Sequence, residues 1–98
     1  NNKHLPVVLM GDFNANPETL SISIIRGKMN DAFEISKTPH YGPTGTFTGF
    51  DANKVIDNRI DYVFVKGFEV KSIVHIDDRR NDNFFVSDHL PVLVELNF

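Results

Sequence analysis

Short apolar runs divide the chain, and their length constrains its fold more than any other feature of the sequence. Four of them, at residues 5–10, 60–65, 70–76 and 91–98, contain mostly β-branched, aromatic and other apolar residues. Runs of four to eight such residues are typical of strands, whereas helices in globular proteins usually need ten or more. We therefore predict a mixed α/β fold that is dominated by strands, with residues 5–10 forming a buried strand.

One helix is predicted after the first strand. Asn16 has the character of an N-cap, Pro17 suits the first helical position, and Gly27 suits the end of a helix. The expected apolar face consists of three residues at helical spacing, Leu20, Ile24 and Ile25. Glycine, proline and charged residues predict loops at 36–45 and 49–58 and a charged turn at 77–83.

Charge and residue content exclude several classes of protein. The net charge is −3, from 13 acidic and 10 basic residues, so the basic excess typical of a simple nucleic-acid-binding domain is missing. There is no cysteine, which excludes disulfides, thiolate metal sites and cysteine nucleophiles. No apolar run approaches the roughly 20 residues of a transmembrane helix, so we expect no transmembrane segment.

Three small polar groups adjoin the apolar runs. Asp12 and Asn14 follow the first run, Asp61 lies inside the second, and Asp88 and His89 precede the last. A carboxylate beside a protein core is costly unless it is paired or bound to a metal. Three such groups at strand ends therefore predict a shared polar pocket.

The sequence motifs around these residues form a recognisable series. GDFN at 11–14, GTFTGF at 45–50, RIDYVFV at 59–65 and SDHLPV at 87–92 resemble, in this order, the C-terminal motifs of the endonuclease/exonuclease/phosphatase superfamily, which has the DNase I-like fold. The resemblance covers residues 7–96. It implies a metal-dependent phosphoester hydrolase, acting on nucleic acid, a phospholipid headgroup or a small phosphoester.

The same resemblance implies roles for five residues. Asp12 would orient or deprotonate the attacking water, Asn14 would position that water and the phosphate, and His89 would stabilise charge on the scissile phosphate. Asp61 would hold the His89 imidazole. The implied cofactor is Mg²⁺ or Mn²⁺, with Asp12, Asn14 and Asp88 at the metal site, and an oxygen-rich donor set suits such hard cations.

Members of the superfamily are about 250 residues long, so the resemblance implies that residues 1–98 are a single partial domain. It would be the C-terminal half of a two-sheet β-sandwich flanked by helices. The N-terminal half, with the main metal-binding glutamate, would lie outside this chain, and the chain alone would then be inactive. An alternative is a non-catalytic half-domain that self-assembles, for example as a homodimer, through its exposed sheet face.

Other interpretations of the same residues are weaker or remain open. The alternating Asp12, Asn14 and Asn16 suggest a calcium loop, but position 17 is proline and position 23 is serine, where an EF-hand needs glycine and glutamate. Asp61 could instead pair with a neighbouring basic residue, Arg59 or Lys66. Thr46 and Thr48 are expected to anchor their loop through side-chain to backbone hydrogen bonds.

Overall fold

The computed structural model describes residues 5–77, 79–80 and 84–98. These residues form five strands and two short helices, in the order β1 (Val7–Asp12), α1 (Leu20–Arg26), β2 (Asn30–Asp31), α2 (Ala32–Ile35), β3 (Asp61–Lys66), β4 (Glu69–His75) and β5 (Val92–Asn97). Part of the charged turn predicted at 77–83 lies outside the described residues. Neither helix has the length and apolar character that crossing a bilayer requires.

The strands form two antiparallel sheets. The first has the order β1-β3-β2, and the second consists of β4 and β5. The predicted mixed α/β class is therefore confirmed, with two sheets and few helices. In the first sheet β3 is central, and its pairing with β1 joins segments about fifty residues apart, with Val8 opposite Val65 and Asp12 opposite Asp61.

The central strand β3 is buried on both of its faces. Successive side chains of a strand point to opposite faces of the sheet. Val63 and Val65 pack against Val70 and Ile73 of β4, and this cluster fills the space between the two sheets. Tyr62 and Phe64 point the other way and pack against Ile22 of α1. The site at the start of β3 therefore stands on a strand that is fixed from both sides.

Helix α1 differs from its prediction at its start and on its buried face. Thr19 is the N-cap, and the carbonyl of Asn16 accepts hydrogen bonds from the amide and hydroxyl of Thr19. The predicted apolar residues Leu20 and Ile24 are 76% and 58% exposed, whereas Ile22 is fully buried. A helix of seven residues has only two turns, so the packing of its flanking loops sets its orientation more than the spacing of its apolar residues does. Gly27 ends the helix, as predicted.

Strand β1 is present, but the prediction that it is buried is wrong. All six of its residues are exposed, Met10 at 71%. Within the described part of the chain β1 pairs only with β3, and the second sheet covers β3 rather than β1. An apolar groove of about 210 Å³ therefore opens beside it, lined by Met10, Gly11, Asp61, Tyr62, Val63, Leu90 and Val92.

The sequence did not predict β2 and α2, which bury a charged pair. Asp31 caps α2 by accepting a hydrogen bond from the Phe33 amide, and its carboxylate lies 2.8 Å from the Arg59 guanidinium. That guanidinium stacks on the rings of Phe33 and Tyr62, at 4.4 and 4.8 Å from their centroids. Arg59 is thus paired with Asp31, which leaves Asp61 for a different partner.

Candidate active site

The ends of β1 and β3 bring the two predicted carboxylates together. Asp12 and Asp61 are directly opposite in the antiparallel register, and residues opposite each other point to the same face. The ladder continues one step further, where the Phe13 amide donates to the Ile60 carbonyl at 2.9 Å. The sheet itself therefore fixes the backbone positions of both aspartates.

His89 lies between these two carboxylates. Its Nδ1 is 2.7 Å from Oδ2 of Asp61, and its Nε2 is 3.7 Å from Oδ2 of Asp12. The side chains of Asp61, His89 and Asp12 are 17%, 29% and 48% exposed, so the row runs from the protein interior to the solvent. The hydrogen bond that His89 donates to the Asp61 carboxylate raises the pKa of His89 above its ordinary value, and the negative charge of Asp12 acts in the same direction. The histidine is thus held by one carboxylate and faces the other.

The segment with the GTFTGF motif holds the His89 segment by backbone hydrogen bonds. The Thr48 amide donates to the Asp88 carbonyl, and the Leu90 amide donates to the Thr46 carbonyl, both at 2.7 Å. These bonds flank an antiparallel bridge between Phe47 and His89, whose rings are in edge contact at 5.4 Å. The position of His89 is therefore set by a short strand-like pairing.

Both threonines of this motif also anchor backbone through their side chains, as predicted. The buried Thr46 hydroxyl accepts hydrogen bonds from the amides of Ile60 and Asp61, at 3.0 and 3.1 Å. The Thr48 hydroxyl donates to the Ser87 carbonyl and accepts from the Phe50 amide. Thr46 thus connects the segment that holds His89 with the start of β3.

The structure places the other two predicted site residues at the edge of this row. Asn14 is exposed, adopts a left-handed backbone conformation with φ of 50°, and donates its amide to Oδ1 of Asp12 at 2.8 Å. Asp88 is half-buried next to His89, and its carbonyl accepts from Thr48. Within the described ranges, the acidic and histidine side chains that converge here are those of Asp12, Asp61 and His89, and Asp88 is not among them.

The donor atoms of this site suit a hard divalent cation. One ligand atom from each of Asp12, Asp61 and His89 lies within 4.8 Å of the others, and oxygen donors are preferred by Mg²⁺ and Mn²⁺. Oδ2 of Asp61 is hydrogen-bonded to His89. The Asp12 carboxylate is about half-exposed, and its Oδ2 lies further from the imidazole, at 3.7 Å. Asp12 is therefore the better placed of the two aspartates to bind a metal, and Asp61 to orient the histidine.

The sequence analysis assigned no role to Tyr62. In the structure, Tyr62 contacts the backbone next to the site, at Ala15 and Arg59. Its ring is buried, and its hydroxyl lies 2.7 Å from the carbonyl of Ala15 and 3.0 Å from that of Arg59. Burial raises the pKa of Tyr62 to about 12. The tyrosine of the RIDY motif was visible in the sequence, but its partner Ala15 is 47 residues away and carries no signal of its own.

Comparison with protein families identifies the class of protein that this fold and site define. The model of the endonuclease/exonuclease/phosphatase family matches residues 1–89. The chain belongs to this family. Comparison with curated proteins finds no significant match.

Several solved structures resemble the chain closely, and some of them are named as proteins of this family. A conserved protein of unknown function from Enterococcus faecalis is 36% identical, with a TM-score of 0.86, over 94% of this chain and 36% of that protein. A mannosyl-6-phosphatase from Bacteroides thetaiotaomicron is 35% identical, with a TM-score of 0.83, over 98% of this chain and 39% of that protein. A family protein from Bacteroides vulgatus is 29% identical, with a TM-score of 0.82, over 94% and 36%. The chain thus spans less than two-fifths of the length of these proteins.

Proposed function

We propose that this chain carries part of the active site of a metal-dependent phosphoester hydrolase, with Asp12, Asn14, Asp61 and His89 as catalytic residues. The observation that carries the proposal is the row formed by Asp61, His89 and Asp12, with distances of 2.7 and 3.7 Å. A carboxylate behind an imidazole fixes its proton on one nitrogen and raises its basicity. Membership of the family supports hydrolysis of phosphoesters as the reaction.

The chemistry assigns a separate task to each side chain. Attack of water on a phosphoester builds negative charge on the non-bridging oxygens, and a protonated His89 can stabilise that charge through Nε2–H. Because Asp61 raises the pKa of His89, the protonated form persists to higher pH than in a free imidazole. Asp12, the most exposed of the three, is placed to orient or deprotonate the water, and Asn14 beside it to position the water and the phosphate.

Asp12, Asn14 and Asp88 are the residues that we propose to hold Mg²⁺ or Mn²⁺. When bound, such a cation neutralises charge on the phosphate and lowers the pKa of a coordinated water. Their side chains offer the oxygen donors that such a cation prefers, and Asp88, which lies outside the converging group, would act through water. With a net charge of −3, the chain has no basic excess to do the same work.

We propose a small phosphoester as the substrate, rather than nucleic acid. One of the similar structures is a mannosyl-6-phosphatase, and the acidic balance of the chain disfavours binding of a polyanion. Within a family that shares one core, specificity comes from loops, so the substrate is a separate inference from the reaction.

We further propose that residues 1–98 are the C-terminal half of the catalytic domain, and that an N-terminal half covers β1 and completes the site. The exposure of all six β1 residues and the apolar groove beside them support this. So does the share of the related structures that the chain spans. Alone, the chain would be inactive, and a homodimer that covers the same face is the rival occupant.

The test is Mg²⁺- or Mn²⁺-dependent hydrolysis by the full-length gene product that carries this chain. Bis-(p-nitrophenyl) phosphate, p-nitrophenyl phosphate and mannose 6-phosphate would be compared, with His89→Ala as the variant and His40→Ala as the control. We expect activity that His89→Ala lowers by about a hundredfold or more and His40→Ala leaves unchanged. An inactive full-length protein, or a fully active His89→Ala variant, would refute the assignment.

The partial-domain proposal is tested on residues 1–98 alone. We expect these 98 residues to show no metal-dependent hydrolysis. Sedimentation measures whether they form a homodimer, which is the rival way of covering β1. Turnover at a rate near that of the full-length protein would contradict the proposal that half of the site lies elsewhere.

A further inference from the structure

We propose that Tyr62 is a positioning residue for Asn14, which it holds in its left-handed conformation by fixing the residues on both sides of it. The inference rests on the proposed function, because Asn14 is one of the proposed catalytic residues. It adds a buried residue to the site, one that acts through the backbone around Asn14.

The first attachment is the ring of Phe13, which precedes Asn14. It makes edge contacts with the rings of Tyr62 and Phe64, at centroid distances of 5.7 and 5.5 Å. The Phe13 amide is also the last to join the ladder, through the Ile60 carbonyl. The chain is therefore fixed against β3 up to the residue before Asn14.

The second attachment is the carbonyl of Ala15, which follows Asn14. It accepts the hydrogen bond of the Tyr62 hydroxyl at 2.7 Å, shorter than the 3.0 Å from that hydroxyl to the Arg59 carbonyl. A hydroxyl has one proton to donate, so the shorter contact identifies Ala15 as its main acceptor. The backbone is thus attached next to β3 at Phe13 and again at Ala15, on either side of Asn14.

Tyr62 itself has little freedom to move. Its ring is 2% exposed, stacks on Phe64 at 5.3 Å and lies under the Arg59 guanidinium at 4.8 Å. That guanidinium is held in turn by the buried carboxylate of Asp31. The Tyr62 hydroxyl is therefore a firmly placed donor, and it can hold the backbone of residues 13–15 in one conformation.

Asn14 needs such support. At φ of 50°, Asn14 is in a left-handed conformation that residues other than glycine rarely adopt, and such a conformation persists where the surrounding structure determines it. The hydrogen bond that the Asn14 backbone N–H donates to Oδ1 of Asp12 also holds one oxygen of that carboxylate, so a change in the backbone of Asn14 also moves Asp12. A displacement of about 1 Å at a reacting group can lower turnover on the order of a hundredfold.

The experiment compares Tyr62→Phe, Asn14→Ala and the double variant in the full-length gene product. Tyr62→Phe keeps the ring and removes the hydroxyl, and Tyr41→Phe, at a side chain that is 77% exposed, is the matched control. We expect Tyr62→Phe to lower kcat about tenfold or more with little change in KM. In the Asn14→Ala background it should cause a smaller loss than in the wild type, because the side chain that it positions is gone and only the backbone amide that holds Asp12 remains.

A structural readout keeps this test separate from that of the proposed function. In protein labelled with ¹⁵N-asparagine, the Asn14 backbone amide shift and its coupling to Hα report its conformation, whether or not the protein is active. We expect both to change in Tyr62→Phe and to stay the same in Tyr41→Phe. An unchanged Asn14 signal in Tyr62→Phe, or an unchanged kcat in that variant, would overturn the proposal.

Discussion

Nδ1 of His89 and Oδ2 of Asp61 are 2.7 Å apart, and this contact joins the segment before β5 to the first residue of β3. Both partners are held by the same residue, since Thr46 accepts hydrogen bonds from the Asp61 amide through its hydroxyl and from the Leu90 amide through its carbonyl. The two segments that carry the pair are thus both attached to Thr46.

Asp61→Asn should lower the pKa of His89. The hydrogen bond that His89 donates to the Asp61 carboxylate is the largest cause of the raised pKa, and an amide cannot replace a carboxylate in stabilising an imidazolium. An NMR titration of the His89 ring in metal-free protein would measure the shift, with Asp57→Asn at an exposed site as the control. An equal His89 pKa in the wild type and Asp61→Asn would show that the pair does not form in solution.

His75 should make the stability of the chain depend on pH. Burial lowers the pKa of His75, which lies against Phe33 and has its Nδ1 2.9 Å from the Pro43 carbonyl. The unfolded state then binds a proton at higher pH than the folded state does. The contribution of His75 to the free energy of unfolding is therefore fully present above about pH 6.5, the ordinary histidine pKa, and is lost as the pH is lowered towards the folded pKa.

This dependence can be measured by urea unfolding between pH 7 and 5 in the wild type and in His75→Gln. The difference between the two proteins cancels the groups that they share. We expect the wild type to lose more stability on acidification than the variant. Parallel curves would contradict a depressed His75 pKa.

Ile22→Ala should destabilise the chain much more than Ile24→Ala. Ile22 is fully buried against Tyr62 and Phe64, and truncation of such a residue costs about 2–5 kcal/mol. Ile24 is 58% exposed in the same helix, so its truncation should cost less than about 1 kcal/mol. Chemical denaturation of the two variants measures both values. A larger loss for Ile24→Ala would restore the buried face that the sequence predicted for this helix.

Arg59→Met should cost about 3–5 kcal/mol of unfolding free energy, because it leaves the buried Asp31 carboxylate without its countercharge. The control is Lys37→Met, since Lys37 pairs with Glu69 on the surface and such pairs contribute about 0–1 kcal/mol. Equilibrium urea denaturation gives both values. If Arg59→Met costs no more unfolding free energy than Lys37→Met, the buried pair does not stabilise the fold.

The sequence predicted those features that are local or that belong to a motif. The apolar runs located β1, β3, β4 and β5, because strand composition is a property of a few neighbouring residues. The sequence analysis missed β2, because the two residues Asn30–Asp31 are too few to show a periodic pattern. The burial of β1 was predicted from its composition, but burial depends on what packs over a strand, and composition does not record that.

The residues of the site also divide into those that the sequence motifs predicted and those that only the structure revealed. Asp12, Asp61 and His89 were found through motifs, and the structure brings these three side chains together. The ion pair of Asp31 with Arg59 and the hydrogen bond of Tyr62 with Ala15 were not found, because their partners are 28 and 47 residues apart. Contacts between distant residues leave no trace in the spacing of a single sequence.

Phe47 pairs with Asn58 as well as with His89, so the loop between residues 48 and 57 is closed at its base. Changes of length or composition at its exposed residues, such as Phe50 and Val55, need not be transmitted to the histidine. The outer part of this loop can therefore change in length while its two ends, and with them the backbone of His89, stay in place.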